Sequence, residues 1–324
     1  MRNFDMDITR QRRIEEAFFR GGTLTLESPD YLREVRALTE ALLHVDVMPK
    51  DLTVEALGIP SGPAKAAIIA QEPGVLAGVS EFEFLMSEAE IGVRPEKNDG
   101  EAFEKGDILL RLEGDRNQLL SFERVGLNLL QRMSGIATLT RKLQCRARSR
   151  SDSTRVVATR KTLWGLLDKR AVHLGGGGTH RLGLGDAILI KNNHLALIAG
   201  EEKEAAPIAI ARSWSFRKQA AFIEVEVRSE SAALAAANVF RRLQKESGEQ
   251  YPCLILLDNL APTEIHGILG ALRSDGLLHY VLVEASGGIS EENLERYAET
   301  GVDAISMGAL THSVRSLDLR QRIS

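Results

Sequence analysis

Beyond Ser149, the sequence repeats one pattern, in which a short run of apolar residues is followed by a longer segment with apolar residues at helical spacing. Such runs are typical of parallel β-strands buried on both faces, and their alternation with helices is typical of βα units. The runs are VVAT from Val156, AILIK from Ala187, FIEVEV from Phe222, LILLD from Leu254, YVLVEAS from Tyr280 and AISMGAL from Ala304. This half of the chain predicts a parallel α/β fold, either a barrel or an open doubly wound sheet.

Polar or small residues stand at the carboxyl ends of these apolar runs. They are Arg160, Lys161, Lys191, Glu226, Asp258, Ser286 and Gly308. In a parallel barrel the carboxyl ends of the strands meet on one rim, and in an open sheet they border one crevice. Both folds gather these residues, so we expect the functional site there.

The first part of the chain predicts a smaller α+β unit. Ser28, followed by a proline, is a typical helix start, and a segment with helical spacing follows it. Short β-like runs cover residues 66–71, 74–79 and 107–114. A long helical pattern then extends from Asn117 to about Arg148, and we expect it to be broken at Ser134-Gly135 and to link the two halves.

Composition excludes several classes of protein. Lys and Arg total 41 against 45 Asp and Glu, a net charge of −4 that argues against nucleic-acid binding. Cys145 and Cys253 are too few and too far apart for a disulfide framework, so a reducing compartment is expected. The N-terminus lacks the apolar segment of a signal peptide, and no stretch approaches the roughly 18 apolar residues of a membrane span. We therefore expect a cytoplasmic protein without membrane contact.

Five potential cations surround the glycine run Gly175–Gly178. They are Arg160, Lys161, His180, Arg181 and Lys191. In a chain that is acidic overall, such a cluster indicates a pocket for a small anion, and guanidinium groups that bind carboxylates through paired hydrogen bonds suit a dicarboxylate. The glycine run does not match the dinucleotide-binding motif, and taken alone it indicates a flexible turn. The spacing of His180 and His194 is not typical of a metal site.

A second part of the rim is acidic, and a third is rich in glycine. Glu224, Glu226 and Asp258 suit Mg²⁺ with a pyrophosphate, since Mg²⁺ takes one or two carboxylates plus substrate oxygens. The turns Ser286–Gly288 and Gly308–Leu310 lie between a predicted strand and a helix, where backbone amides favour a phosphate. Taken singly, Glu226 and Asp258 are explained equally well as ordinary strand-end caps.

The chain also carries a series of motifs that resembles one protein family. In order, they are KDLT (Lys50–Thr53), a VLAG turn, FERVGLNLLQRMSGIAT (Phe122–Thr138), ATRKT, GGGGTHRLGL, LIKNNH, EVEV, LLDN (Leu256–Asn259), EASGGI (Glu284–Ile289) and GVDAISMGALTHS (Gly301–Ser313). Together they resemble the quinolinate phosphoribosyltransferase family, or nicotinate-nucleotide pyrophosphorylases (carboxylating), among the type II phosphoribosyltransferases. The resemblance spans most of the chain, and the ordered set is far more specific than any one motif.

This resemblance implies a fold and an assembly. The fold would be α/β, with an N-terminal α/β sandwich domain over residues 1–127, joined by the tail 315–324. An incomplete, seven-stranded α/β barrel would cover residues 128–314. The family resemblance also implies at least a homodimer with shared active sites.

The resemblance further implies an activity and its residues. A pentosyltransferase would move the phosphoribosyl group of phosphoribosyl pyrophosphate to quinolinate with loss of CO2, giving nicotinate mononucleotide for NAD biosynthesis, with Mg²⁺ as cofactor. The implied quinolinate pocket comprises Arg124, Arg160, His180, Arg181 and Lys191, with Arg124 supplied by the neighbouring subunit. The implied phosphoribosyl pyrophosphate side comprises Lys161, Glu226, Asp258, Ser286, Gly287, Gly288, Gly308, Ala309 and Leu310. In that set, Glu226 and Asp258 would hold Mg²⁺ through the pyrophosphate.

The sequence departs from the family pattern in several places. Thr179 stands where asparagine is usual, Asn192 replaces a common aspartate, and the segment after ATRKT is shorter, with Trp164 in place of proline. None of these changes removes a cation from the implied pocket, although they bear on fine specificity and rate. The residues before about Asp30 and an insertion around Glu201–Lys218 are expected to be solvated helices.

Two other functions are compatible with parts of the pattern. A paralogous transferase, such as the ModD-like proteins of molybdenum loci, would act on another substrate. The full set of Arg160, His180, Arg181 and Lys191 argues against it. A non-catalytic sensor of a phosphorylated ligand would leave the acidic and cationic parts of the rim without a shared purpose.

Overall fold

A computed structural model describes residues 2–47 and 50–324 of the chain. In chain order, its α-helices are α1 (Arg2–Phe18), α2 (Pro29–Asp46), α3 (Leu52–Leu57), α4 (Val79–Ser87), α5 (Arg116–Ser121), α6 (Glu123–Arg148), α7 (Leu166–Leu174), α8 (Asn192–Ala196), α9 (Glu202–Ser213), α10 (Glu230–Ser247), α11 (Pro262–Ser274), α12 (Leu294–Ala298) and α13 (Ala309–His312). Within these described ranges, none of the helices combines the length and the apolar character that a membrane crossing requires.

The β-strands alternate with these helices along the chain. They are β1 (Pro63–Ala70), β2 (Gly74–Val75), β3 (Gly92–Pro95), β4 (Ala102–Phe103), β5 (Ile108–Asp115), β6 (Arg155–Val157), β7 (Ile188–Ile190), β8 (Ile223–Val227), β9 (Cys253–Asp258), β10 (Leu282–Ser286), β11 (Ala304–Ser306) and β12 (Leu319–Ile323). Short 3₁₀ helices cover Gly21–Thr23, Trp214–Gln219 and Leu278–Tyr280.

The chain forms two compact units, and the first contains a parallel sheet with strand order β6-β11-β10-β9-β8-β7. Each strand of this sheet overlaps a predicted apolar run, which confirms the strand prediction. In β9, every residue from Cys253 to Leu257 is buried and only Asp258 is partly exposed. A single parallel bridge joins Val157 of β6 to Gly178, which occupies the place of a further strand. The fold is α/β, and its parallel sheet of six strands is consistent with the predicted incomplete barrel, although it has one strand fewer than the seven that the resemblance implied.

The N-terminal helix belongs to the barrel unit, which comprises Met1–Arg20, Leu143–Arg160 and Gly177–Ala309. Ile14 and Phe18 of α1 are buried in a hydrophobic cluster with residues near the amino ends of the barrel strands, including Phe222, Leu254, Leu282 and Ala304. The two side chains share one face of the helix because they are one turn apart. The expectation of solvated helices is therefore wrong for this face of α1. It is also wrong for α9, which buries Ala205, Ala206, Ala209 and Ile210.

The second unit comprises Gly21–Lys142, Lys161–Gly176 and Leu310–Ser324. Its main sheet has the order β12-β1-β5-β3, and the pairs are antiparallel. Burial alternates along the C-terminal half of β1, as expected for a sheet with one face on the core. The C-terminal strand β12 pairs with β1 and so brings the tail of the chain into this sheet.

The long helix of the second unit breaks at a different place from the predicted one. The interruption falls at Phe122, between α5 and α6, and α6 continues through Ser134-Gly135. Gly135 permits a close approach instead, because a Cβ there would lie 2.3 Å from the carbonyl oxygen of Arg315. The hydroxyl of Ser134 accepts a hydrogen bond of 3.1 Å from the backbone N–H of Ala77. Packing contacts, rather than a helix end, explain this Ser-Gly pair.

The apolar run at residues 74–79 is shorter as a strand than predicted. Only β2 is extended, and α4 already begins at Val79. Gly78 has a φ of 98°, a left-handed conformation that glycine adopts without strain. The carboxylate of Asp99 accepts hydrogen bonds from the backbone N–H groups of Gly78 and Val79, at 2.8 and 3.0 Å. This helix cap explains why the apolar run changes from strand to helix.

Candidate active site

The carboxyl ends of four adjacent strands carry predicted rim residues. Lys191 follows β7, Glu226 lies on β8, Asp258 ends β9 and Ser286 ends β10. The parallel register pairs Ser286 with Asp258 and Glu226 with Leu256. Because these strands are neighbours in the sheet, the fold brings the four residues to one edge of the barrel.

Two of the predicted cations, Arg160 and Arg181, lie in the barrel unit, and the charge of Arg160 acts on Arg181. Arg181 is 7% exposed, whereas Arg160 is exposed beyond the end of β6. Burial, followed by the charge of Arg160, lowers the pKa of the Arg181 guanidinium. Two cations that repel each other are stabilised by an anion between them, so this pair suits a carboxylate ligand.

His180 is held on both sides of its ring. Its backbone φ of 52° is left-handed, a conformation uncommon outside glycine. Nδ1 accepts a hydrogen bond of 2.7 Å from the backbone N–H of Arg181. Nε2 lies 3.1 Å from Oε2 of Glu224 and 3.2 Å from Oε2 of Glu284. Both ring nitrogens therefore already have partners within the protein.

The two carboxylates beside His180 are buried. The side chains of Glu224 on β8 and Glu284 on β10 are 0% and 1% exposed. Burial, and then the charge of Glu284, raises the pKa of Glu224 to about 7. Burial opposes a charge on His180, whereas the charges of Glu284 and Glu224 favour one and raise its pKa. The hydrogen bond that Nδ1 accepts, which a doubly protonated ring cannot make, opposes this rise. At neutral pH this cluster holds more protons than three isolated groups would.

The same three residues are arranged closely enough to suggest a metal site, since their ligand atoms all lie within 4.8 Å of one another. The hydrogen bond to Nδ1 of His180 argues for a proton instead. A nitrogen that accepts a hydrogen bond carries no hydrogen, so the neutral ring keeps its hydrogen on Nε2, and a metal would need the lone pair of that atom. We interpret the cluster as a buried group in which the Nε2–H of a neutral His180 lies between the two carboxyls and so fixes the ring.

Glu226 and Asp258 form the acidic part of the rim, and both are partly exposed. Oε1 of Glu226 accepts a hydrogen bond of 3.4 Å from the backbone N–H of Asn192. Arg228 donates to Oδ2 of Asp258 from Nε at 3.1 Å, and its Nη2 lies 3.0 Å from the same oxygen. Carboxylate oxygens are the donors that Mg²⁺ prefers, and partial exposure leaves room for substrate oxygens. The pair therefore fits Mg²⁺ bound together with a substrate.

The Ser286–Gly288 turn has a backbone that glycine adopts readily. Gly287 and Gly288 have φ values of 91° and 62°. A Cβ on Gly287 would lie 2.4 Å from Oδ1 of Asn259, whose N–H donates to the carbonyl of Ser286 at 2.8 Å. Close contact with Asn259, just after the end of β9, fixes this turn. A loop that binds phosphate through its own backbone N–H groups needs such a fixed conformation.

The remaining predicted residues are divided between the two units. Gly308 and Ala309 follow β11 at its carboxyl end. Leu310, Lys161 and Arg124 belong to the second unit. Leu310 is buried in α13, whereas Lys161 is exposed and Arg124 is exposed in the first turn of α6.

Glu284 carries no site prediction from the sequence, and Glu224 is predicted on the rim. Both are buried beside His180 instead. A signal was present, because each lies two positions before a rim residue, Glu226 or Ser286, on the same face of its strand. A charge at an inward position of an apolar strand needs a buried partner, and this rule points to the histidine of GGGGTHR.

Comparisons with known sequences identify the family of this chain. The profile for the quinolinate phosphoribosyl transferase N-terminal domain matches residues 51–134, and that for the C-terminal domain matches residues 136–322. A probable nicotinate-nucleotide pyrophosphorylase (carboxylating) of Methanothermobacter thermautotrophicus is 42% identical over 284 residues, covering 87% of this chain and 96% of the relative. The human nicotinate-nucleotide pyrophosphorylase (carboxylating) is 33% identical over 289 residues, covering 89% of this chain and 91% of the relative.

Solved structures agree as well. A NadC crystal structure from Streptococcus pyogenes matches with a TM-score of 0.76 at 33% identity, covering 90% of this chain and 97% of that chain. A NadC deletion mutant in a cubic space group matches with a TM-score of 0.77 at 32% identity, covering 93% of this chain and 98% of that chain. Because both domain profiles match in order and the relatives are covered almost completely, the chain belongs to the quinolinate phosphoribosyltransferase family.

Proposed function

We propose that the protein transfers the phosphoribosyl group of phosphoribosyl pyrophosphate to quinolinate and releases CO2, giving nicotinate mononucleotide and pyrophosphate for NAD biosynthesis. The observation that carries this proposal is family membership together with the cations of the implied pocket. Arg181 lies near Arg160, and Lys191 follows a strand of the same barrel.

Quinolinate suits these cations because it has two adjacent carboxylates on a pyridine ring. A hydrogen bond with a charged partner contributes about 1.5 to 3 kcal/mol, so two carboxylates bound by Arg160, Arg181 and Lys191 give a substantial preference over a monocarboxylate. His180 has both ring nitrogens engaged within the protein. We therefore infer that it acts on this pocket by fixing the turn that carries Arg181.

The proposed reaction needs no nucleophile from the protein. The lone pair of the pyridine nitrogen attacks the anomeric carbon, and the bond from that carbon to pyrophosphate breaks, with its electron pair leaving on the pyrophosphate. The bond from the adjacent ring carbon to its carboxylate then breaks, and its electron pair stays on that carbon, where the cationic ring nitrogen stabilises it until the carbon is protonated. CO2 departs and a proton from solvent replaces it. Orienting two bound reactants can lower such a barrier by about 7 to 11 kcal/mol.

The reaction also requires that the charges developing on the sugar and on the leaving group be stabilised. Glu226 or Asp258 would stabilise the positive ribosyl centre electrostatically, and Lys161 would offset charge on the departing pyrophosphate. Mg²⁺, when bound with the pyrophosphate, supplies further neutralisation of that charge. Glu226 and Asp258 would hold the Mg²⁺ through their carboxylates.

The assembly and the location are also proposals. The resemblance assigns Arg124 to the pocket of a neighbouring subunit, so we infer a homodimer or a higher oligomer in which active sites are shared. Cys145 and Cys253 are both free thiols, which supports a reducing, cytoplasmic location.

The direct test is a product assay with the purified protein, quinolinate, phosphoribosyl pyrophosphate and Mg²⁺. We expect nicotinate mononucleotide and CO2 in equal amounts, and loss of activity when the metal is chelated. A folded protein that forms no product would contradict the proposal. Transfer to another acceptor, such as nicotinate, would favour the paralogous transferase. Asp258→Ala should abolish turnover, whereas ligand affinity and activity that do not change would favour the sensor.

A further inference from the structure

The carboxyl end of α1 is hydrogen-bonded to the residue that precedes His180. The backbone N–H of Thr179 donates to the carbonyl of Phe18 at 2.6 Å, and the Thr179 hydroxyl lies 3.1 Å from the same carbonyl and 3.1 Å from the carbonyl of His180, so it can donate to either one. The backbone N–H of Arg20 donates to the Thr179 hydroxyl at 3.4 Å. Thr179 is fully buried, so this contact is part of the interior of the barrel unit.

The side chain of Phe18 also packs against His180. The two rings lie 5.7 Å apart between centroids, and Phe222 lies 6.2 Å from Phe18. Phe222 meets the imidazole edge to face, with centroids 5.2 Å apart and an interplanar angle of 89°. Phe18 and Phe222 are both fully buried. Two aromatic rings thus fix the plane of the imidazole, and Glu224 and Glu284 engage its Nε2.

A third contact lies just beyond Arg181. Oδ2 of Asp186 accepts a hydrogen bond of 2.7 Å from the backbone N–H of Leu182, and Oδ1 of the same carboxylate pairs with the guanidinium of Arg20. The segment from Phe18 to Arg20 is therefore bonded to the chain before His180 and linked through Asp186 to the chain after Arg181. A left-handed, non-glycine residue such as His180 persists only where its surroundings hold it.

We propose that Phe18–Arg20, at the end of α1, is a positioning segment that fixes the His180-Arg181 turn so that the Arg181 guanidinium meets a quinolinate carboxylate. The proposal rests on the function proposed above. α1 lies outside the ranges 51–134 and 136–322 that match the two family domains. Thr179, which stands where asparagine is usual in the family, is the residue that is hydrogen-bonded to this segment.

The test compares Phe18→Ala with Ile14→Ala, since Ile14 lies one turn earlier in the same buried cluster. Both variants should lower the thermal midpoint. Phe18→Ala should also raise the KM for quinolinate about tenfold or more, because small misplacements of a binding group have large effects, and should change the KM for phosphoribosyl pyrophosphate less than twofold. Ile14→Ala should leave both KM values near those of the wild type.

Thr179 gives a second route that does not remove a large side chain. Thr179→Val loses the hydroxyl and should raise the KM for quinolinate, whereas Thr179→Ser keeps the hydroxyl and should restore it. If Phe18→Ala and Thr179→Val both leave the KM for quinolinate unchanged in an active enzyme, the proposal is overturned.

Amide hydrogen exchange separates failure of this proposal from failure of the proposed function. Exchange at residues 179–182 should increase in Phe18→Ala and not in Ile14→Ala, whether or not the wild type makes nicotinate mononucleotide. An inactive wild type with this exchange pattern would overturn the proposed function and leave the positioning supported. Equal exchange in the two variants would overturn the positioning role.

Discussion

Arg132 and Asp168 form a double hydrogen bond in the second unit, from Nε at 2.9 Å and from Nη2 at 2.8 Å to the two carboxylate oxygens. Asp168 is fully buried, and its Oδ2 also accepts hydrogen bonds of 3.2 Å from the backbone N–H groups of Leu163 and Trp164. The guanidinium of Arg132 lies 5.1 Å from the Trp164 ring centroid. The segment after ATRKT is therefore organised around one buried carboxylate, and Trp164 packs against the guanidinium that this carboxylate holds.

We expect Asp168→Ala to lower the free energy of unfolding by roughly 3–5 kcal/mol, because removal of one member of a buried ion pair leaves the other without compensation. Urea denaturation of the two proteins measures the difference. Glu16→Ala, which breaks the exposed Arg12–Glu16 pair on α1, is the matched control and should have little effect. Similar losses in both variants would contradict the assigned role of Asp168.

We expect His180→Ala to be strongly destabilising as well, by about 3 kcal/mol or more, because two buried carboxyls, Glu224 and Glu284, would lose the Nε2–H of the imidazole as a partner. Replacing one carboxylate in the same chain, as in His180→Ala with Glu284→Gln, should recover part of the loss. Urea denaturation at neutral pH tests both. Full stability of His180→Ala would show that the carboxylates do not depend on the imidazole.

Stability should depend on pH through Glu81. Its Oε1 accepts a hydrogen bond of 2.6 Å from the hydroxyl of Tyr31, and burial raises the pKa of its carboxyl above the ordinary value. The folded state then keeps a proton that the unfolded state loses, so stability is greatest below the ordinary carboxyl pKa and falls as pH rises through the raised one. Glu81→Gln cannot ionise and should reduce this fall, measured as the thermal midpoint at pH 5 and pH 8. The exposed Glu88→Gln should follow the wild type, and so would Glu81→Gln if the assignment were wrong.

Shared active sites can be tested by mixing two inactive variants, Arg124→Ala and Lys191→Ala. If Arg124 serves a neighbour's pocket, a mixed dimer has one pocket with both residues intact. Random mixing in equal amounts should then restore about a quarter of wild-type activity. The double variant Arg124→Ala/Lys191→Ala, mixed with itself, is the control. Verified mixed dimers without activity would place Arg124 in its own chain's pocket or outside the site.

Much of the barrel could be predicted because its signal is local. The run from Leu254 to Leu257 is apolar at every position, which indicates a strand buried on both faces, and Asp258 marks where it ends. The rim followed from the same signal, since adjacent parallel strands end on one side. The predicted strand ends alone therefore placed Lys191, Glu226 and Ser286 on one rim, without any knowledge of their contacts.

Contacts between distant parts of the chain could not be predicted in this way. Phe18 and Thr179 are 161 positions apart in the sequence, and nothing in the apolar pattern of α1 indicates which surface its buried face contacts. Gly135 reads as a helix breaker in isolation, and only the nearby Arg315 carbonyl explains it. Judged from the sequence alone, both ring nitrogens of His180 are available to a ligand. In the fold, both nitrogens already have partners within the protein.

The single bridge between Val157 and Gly178 has a consequence for what the barrel can carry. A continuous ladder at this seam would impose extended backbone on the residues after Gly178, and a φ of 52° at His180 would be incompatible with it. Because no continuous ladder forms at this seam, the barrel lacks a row of interstrand hydrogen bonds there. The residues after Gly178 are not held in an extended conformation and can form the left-handed turn at His180. A redesign that extends the β-ladder across this seam should add interstrand hydrogen bonds, remove the left-handed turn at His180 and so abolish the proposed contact of Arg181 with an anion.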